Sequence, residues 1–325
     1  MRIHPVSLPA LALLMIPAGP LAAQQTWSLD FAWPPGAAAD VTVETTISAS
    51  VMGQPQTLDM ETQYRMEVSE EDDALLISYS DYVMDGVAME ALADSGSPEE
   101  MTRLISNAQA DIRVSREGEF LGLADYPALR ASMEEMMSSQ RAELEASGMA
   151  GMFDDLMEAS LSEESMSLGA RMQWDQLVGH WAGRTLAVGE TVTVPSEMPF
   201  PVMTDTPVAL ETQLRLVGPV PCPEGSGAED CLELASTASP DPEEMRNLMD
   251  VFMADMAERA GGSGMEMGIT SMTLETTSTL VVEASTLRPL RLQTRVGTDM
   301  EMDVMGMVQS MTNEQAMDTR FDWGS

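Results

Sequence analysis

Lysine is missing altogether. All 16 basic residues of this 325-residue chain are arginine, set against 53 acidic ones for a net charge of −37. Without lysine there is no phosphate loop of the G-x-x-x-x-G-K type. A field of this sign repels phosphate backbones and anionic lipid surfaces, so no nucleic-acid partner is expected. Histidine is almost as scarce: apart from His4 near the start there is only His180, in "VGHWAG". Zinc or copper(II) sites built on several imidazoles are excluded by that count. A Ser-His-Asp site would have to use His180, and no G-x-S-x-G elbow accompanies it. Carboxylates are so abundant that no pair stands out as an acid/base couple. We therefore expect no catalytic residue, no cofactor and a non-enzymatic protein.

Cysteine is limited to Cys222 and Cys231, close together in "CPEGSGAEDC". That spacing reads as a local disulfide in an oxidising compartment. Long apolar runs are scarce too. The one near the start, "VSLPALALLMIPAG", follows Arg2 and His4 and precedes Leu21-Ala22-Ala23. It is shorter than the ~20 residues a spanning helix needs. The pattern is that of a secretory signal peptide over 1–23, cut near Ala23 and Gln24. No integral membrane segment is expected after cleavage, and the mature protein is expected to be exported, to the periplasm or beyond the cell.

What the chain does contain is alternation. Val41, Val43, Thr45, Ile47, Ala49 and Val51 share one face of a strand. Gly53 and Pro55 mark a turn, and Leu58 to Val68 alternate again, giving a long hairpin with one wet face. After "SEEDD" a third strand follows in "ALLISYSDY". The phrase "ETQYRM" at 61–66 returns as "ETQLRL" at 211–216, and "SPEEMTRL" at 97–104 returns as "DPEEMRNL" at 241–248, offsets of 150 and 144 residues. Each copy of the second phrase carries a cap residue, a proline in the first turn and a glutamate after it, a helix-start signature. Two phrases in the same order at nearly equal offsets imply an internal duplication, with repeats over 24–170 and 171–325. The expected fold is mainly β with inserted helices (α+β): two duplicated antiparallel units forming a strongly curved sheet around Met-rich helices. Trp27, Leu29, Phe31 and Trp33 at one end, and Met317, Phe321 and Trp323 at the other, are expected to close that sheet. Residues 127–182 read as two or three helices, with Asp125 as cap.

Methionine is the compositional excess, at 31 residues. In the predicted helix of 242–259, Met245, Leu248, Met249, Phe252, Met253 and Met256 form one apolar stripe. It reads either as core or as the wall of a site for an apolar ligand or protein segment, since flexible methionines accommodate varied partners. The alternative is copper(I), which thioethers suit, and Met265, Met267 and Met272 beside a glycine cluster are its candidate ligands.

"VMGQPQTLDMETQYRMEV" with "ALLISYSDYVMDG", and later "LAVGETVTV" and "VVEASTLRPLRLQT", resembles a family of exported, β-rich bacterial proteins of uncharacterised function with a Met-Gly-Gln hairpin. At the level of fold, curved sheets clasping helices are similar to periplasmic lipoprotein carriers. The resemblance implies a β-rich exported protein and brings no catalytic residue with it. The resulting expectation is a protein that binds an apolar ligand or protein segment in the cell envelope. A copper(I)-handling protein and a structural envelope or surface component are the alternatives.

Overall fold

The computed structural model describes residues 25–51, 54–86, 109–135, 157–199, 207–259, 267–304 and 307–324. The alternating segments form strands throughout. They are β1 (Thr26–Leu29), β2 (Ala38–Val51), β3 (Gln54–Glu71), β4 (Ala74–Gly86), β5 (Ile112–Val114), β6 (Phe120–Leu123), β7 (Arg184–Ala187), β8 (Thr191–Met198), β9 (Val208–Val220), β10 (Cys231–Pro240), β11 (Met267–Glu283), β12 (Pro289–Val304) and β13 (Met307–Asp322). Helix α1 (Glu163–Trp174) runs into a π-helical turn over Asp175–Gly179, and α2 (Pro242–Arg259) joins β10 to β11. Shorter helical stretches cover 126–135 and 157–160.

Eleven strands make one antiparallel sheet in the order β6-β5-β4-β3-β2-β13-β12-β11-β10-β9-β8. Every neighbour pair but one is a sequential meander. The exception joins β2 to β13 from Asp40↔Asp322 to Val51↔Met311, which fuses the front and back of the chain into a single sheet. The sheet does not close by hydrogen bonds. Instead α1 packs against both of its edge strands, β6 and β8. A helix packed on the short edge strands β6 and β8 covers those edges against pairing with another chain.

Ser162 caps α1, its hydroxyl accepting from the Ser165 amide at 3.2 Å, while Glu163 and Glu164 lie at the positive end of the helix dipole and Arg171 near the negative end. The start expected for α2 forms as read: Asp241 Oδ1 accepts from the Glu243 and Glu244 amides at 2.7 and 3.2 Å, ahead of Pro242 in the first turn. Asp125 caps the stretch at 126–135 through the Ala128 amide.

The aromatic ends behave differently from the expectation. β1 pairs with β7 in a separate two-stranded sheet, and β2, not the Trp27–Trp33 run, receives the final strand. Phe31 and Trp33 instead turn inward. Their rings lie 5.3 Å apart, and Trp33 meets Trp174 at 5.4 Å and Trp323 at 5.0 Å. Trp174 Nε1 donates to the Gly118 carbonyl at 2.8 Å, Trp323 Nε1 donates to Pro289 O at 2.6 Å, and the Arg288 guanidinium stacks over Trp323. Gly118 has φ +90°, and a Cβ there would stand 2.9 Å from the Phe31 ring, so this turn needs glycine on both counts. Trp174 and Trp323 thus satisfy their indole N–H groups in the core, whereas the buried Nε1 atoms of Trp27 and Trp33 have no hydrogen-bond partner among the described residues.

This cluster anchors the core at one end of the curled sheet. Val41, Met66, Val68, Leu75, Ile77, Leu214, Leu216, Leu232, Leu234, Leu280, Val282, Leu290 and Leu292 complete it from the inner face. Cys222 and Cys231 form the expected disulfide, with Cα atoms 5.2 Å apart, stapling the β9–β10 loop to the start of β10. Among the described residues no helix is long and apolar enough to cross a membrane.

Both copies of the repeated hexapeptide lie in the central strand of a three-stranded meander, "ETQYRM" in β3 between β2 and β4 and "ETQLRL" in β9 between β8 and β10. The counterpart of the α2 start, at 97–104, lies outside the described residues. Residue 170, the expected boundary between repeats, falls within α1.

Candidate functional site

Moving along the inner face away from the tryptophans, the side chains change character at one row. Ser278 Oγ lies 3.1 Å from Thr294 Oγ1, both buried, and Gln176 Nε2, from the π-helical turn, reaches across to Ser278 Oγ at 3.1 Å. Thr45 is buried in the same row through Met317, and Thr212, one row further along on β9, is buried with its hydroxyl 2.5 Å from that of Ser196. Buried hydroxyls are tolerated because they bond to one another. They form a floor above the dry core.

Beyond that floor the inner face is apolar again but only half-buried. Register places Ile47 opposite Leu58, Thr45 opposite Met60, and Met317 between Thr45 and Thr294. Further along, Val296 faces Thr276, and Met272, Met300 and Met311 stand side by side on β11, β12 and β13. All of these except the buried Thr45 and Thr294 are partly accessible, whereas most side chains of the same face below the floor are buried, Val43 and Tyr64 being only half so. On the core side of the floor, Tyr64 opposite Val41 and Tyr79 opposite Met66 form an aromatic group with Tyr82 on β3 and β4, Tyr64 stacking on Tyr82 at 5.0 Å. Tyr82 is turned inward by the bulge between Gln63 and Arg65, where Asp81 takes φ +55°. Burial raises all three phenols, Tyr64 to about 12.

Helix α2 lies against β11 beside this surface. Met245 is fully buried, Leu248 and Met249 are half-buried, and Val251 on another face is exposed, so the start of the stripe turns inward. The side chains of Phe252, Met253 and Met256 lie outside the description. Of the proposed copper ligands, Met265 lies outside the described residues and so does the side chain of Met267; Met272 sits in the inner-face row with Met300 and Met311. Period-two alternation puts Met300 on the face of Leu290 and Leu292, but it does not bring three thioethers on three strands together. Only the pairing of β11 through β13 does that.

The opposite face of the sheet carries two open depressions of about 460 and 600 Å³. Their walls include Thr46, Thr277, Glu275, Glu314 and Asp318, hydroxyls and carboxylates that suit water rather than an apolar ligand.

A third cavity, of about 340 Å³, lies between α1 and strands β8 and β9. Here Asp175 begins the π-helical turn. Its Oδ2 is 3.5 Å from Arg171 Nε and 3.7 Å from His180 Nε2, while Oδ1 folds over Gly179 so closely that a Cβ there would be 2.1 Å away. Burial pushes the Asp175 carboxyl up to about 6, against the opposing pull of Arg171, and burial together with Arg184 and Arg171 pushes His180 down to about 4. The extra residue in the turn is what places the single inward histidine beside this carboxylate, since five-residue spacing on a regular helix would separate them. Among the described residues no group of three or more histidine, cysteine, aspartate or glutamate side chains could hold a metal ion.

No protein-family model matches this chain, and no curated protein is detectably similar to it in sequence.

Proposed function

We propose that this is a non-enzymatic exported protein that holds an apolar ligand, or an apolar protein segment, against the upper inner face of its curled sheet. The observation that carries the reading is the abrupt change at the Ser278–Thr294 floor. Below it most of the inner face is buried around tryptophans, and above it, on β2, β3 and β11 to β13, methionine, leucine, isoleucine and valine are left half-accessible. A protein whose only need was stability would bury that surface, because each buried methylene is worth about 0.8 kcal/mol. Concave, mostly apolar surfaces at the mouths of β-barrels are where small ligands bind. The segment at 1–23, the disulfide and the resemblance to exported β-rich proteins support delivery to an oxidising compartment. The paired phrases support descent from a duplicated unit.

The test combines composition with a charge. Mass spectrometry of organic extracts of the purified protein should identify a bound lipid-like molecule. Val296→Asp, placed above the floor, should abolish uptake of an apolar fluorescent dye while leaving the circular dichroism spectrum unchanged. Dye uptake equal to that of the parent would rule out the inner face as the site.

A second reading rests on one observation, the Met272–Met300–Met311 row. Three thioethers on adjacent strands suit copper(I). Calorimetry under reducing conditions should then show one equivalent bound and Met300→Leu should remove it; an absence of heat with the parent protein retires the idea.

A further inference from the structure

We propose that the cavity between α1 and the β8–β9 edge is a second binding site, one that takes a small organic cation with an apolar body, its ammonium group seated on Asp175 Oδ2. Its lining includes neither Val296 nor the methionine row, and it does not rest on them.

The cavity walls are mixed in a particular way. Leu168, Met172, Pro195 and Leu210 give it an apolar body, and its ionisable groups are Arg171, Asp175 and Glu197. Asp175 is the recessed one, its side chain 19% exposed, whereas Arg171 is 60% exposed at the rim. The carboxylate is held by long contacts. Its closest charged neighbours, Arg171 and His180, stand at 3.5 and 3.7 Å, both beyond the 2.7–3.2 Å of a normal N–H···O bond. A ligand N–H that approaches Oδ2 to within about 2.9 Å makes a shorter charge-assisted bond than the long one supplied by Arg171. The carboxylate is fixed for this purpose: the π-turn projects it, and Gly179 leaves the space into which Oδ1 folds. π-turns of this kind recur at functional sites.

Charge decides between ligand classes. Two carboxylates against one guanidinium leave the cavity net negative, and the molecule as a whole carries −37. An anionic ligand seeking Arg171 would be repelled by Asp175, by Glu197 and by that field; a cation is drawn by all three. No aromatic ring lines the cavity, so a quaternary ammonium lacks the π-faces it prefers, and an amine that donates hydrogen bonds fits better.

Titration calorimetry at pH 7.5 with n-hexylammonium, and with hexanoate as the oppositely charged probe of the same length, tests the proposal. Hexylammonium should saturate one site, and hexanoate should give no binding. Asp175→Asn should weaken hexylammonium at least tenfold. Leu210→Trp, which fills the cavity from the opposite wall on β9, should weaken it similarly, so a loss confined to one altered helix cannot mimic the result. Val296→Asp, on the inner face, should leave it unchanged. Absence of hexylammonium binding, equal binding of hexanoate, or undiminished binding by Asp175→Asn each overturns the assignment.

Discussion

Asp175 and His180 show how two neighbouring residues can conceal each other's effect on stability. Folding raises the Asp175 carboxyl from 3.8 to about 6, so between those values the folded protein keeps a proton that the unfolded chain has released. Its contribution to stability therefore falls as pH rises from about 4 to 6. Folding lowers His180 from 6.5 to about 4, so the unfolded chain holds the extra proton there, and this contribution rises with pH over nearly the same window. Two shifts of about 2 units are each worth about 3 kcal/mol and oppose one another. His180→Gln should consequently lose about 2–3 kcal/mol between pH 4 and 6.5 relative to the parent, and Asp175→Asn should gain a similar amount. Urea denaturation at several pH values measures both; curves that run parallel to the parent's would show that burial does not control these groups.

At the scale of the element, α2 carries the question of scaffold or binding wall. Met245 is sealed against the body of the protein, and removing its side chain leaves a cavity, so Met245→Ala should cost about 2–5 kcal/mol. Leu248, one turn on, is only half-buried. If it lines the ligand surface, Leu248→Ala should cost about 1 kcal/mol or less, because water already reaches it, and should reduce dye uptake per folded molecule. Denaturation and dye titration on the two variants separate the roles. A Leu248→Ala protein as unstable as Met245→Ala, with normal dye uptake, would make the helix pure scaffold. The π-turn at the end of α1 poses the complementary case, in which one inserted residue changes what the following side chains meet.

For the whole molecule the dominant fact is a curled sheet with a large uncompensated charge. Many ion pairs of the described residues are exposed, such as Arg65–Asp40 and Arg320–Glu44, and each contributes little. The remaining carboxylates repel one another, more strongly in the compact state than in the unfolded chain. Raising sodium chloride from about 0.02 to 0.5 M shortens the screening length several-fold and should raise Tm by several degrees. A Tm that falls or stays level would mean that the surface charge is already matched by bound counter-ions. The β2–β13 ladder makes this a property of one body, because the first and last long strands lie side by side at the centre of the sheet.

Much of this was written in local pattern. Period-two alternation specified the strands and which side chains share a face, as Leu290, Leu292, Val296 and Met300 do in β12, because the pleat itself has that period. The Asp241-Pro242 start of α2 and the Cys222–Cys231 staple were legible for the same reason, being contacts between residues close in sequence. Long-range choices were not. Pairing of β2 with β13 rather than closure through the terminal tryptophans, the Gln176–Ser278–Thr294 floor, and the Met272–Met300–Met311 row all depend on which strands become neighbours, which no local period encodes. Asp175 and His180 lay five residues apart in plain view, but only the π-turn, set by the packing of Trp174 and Trp181 in the core around Gly179, brought their side chains together.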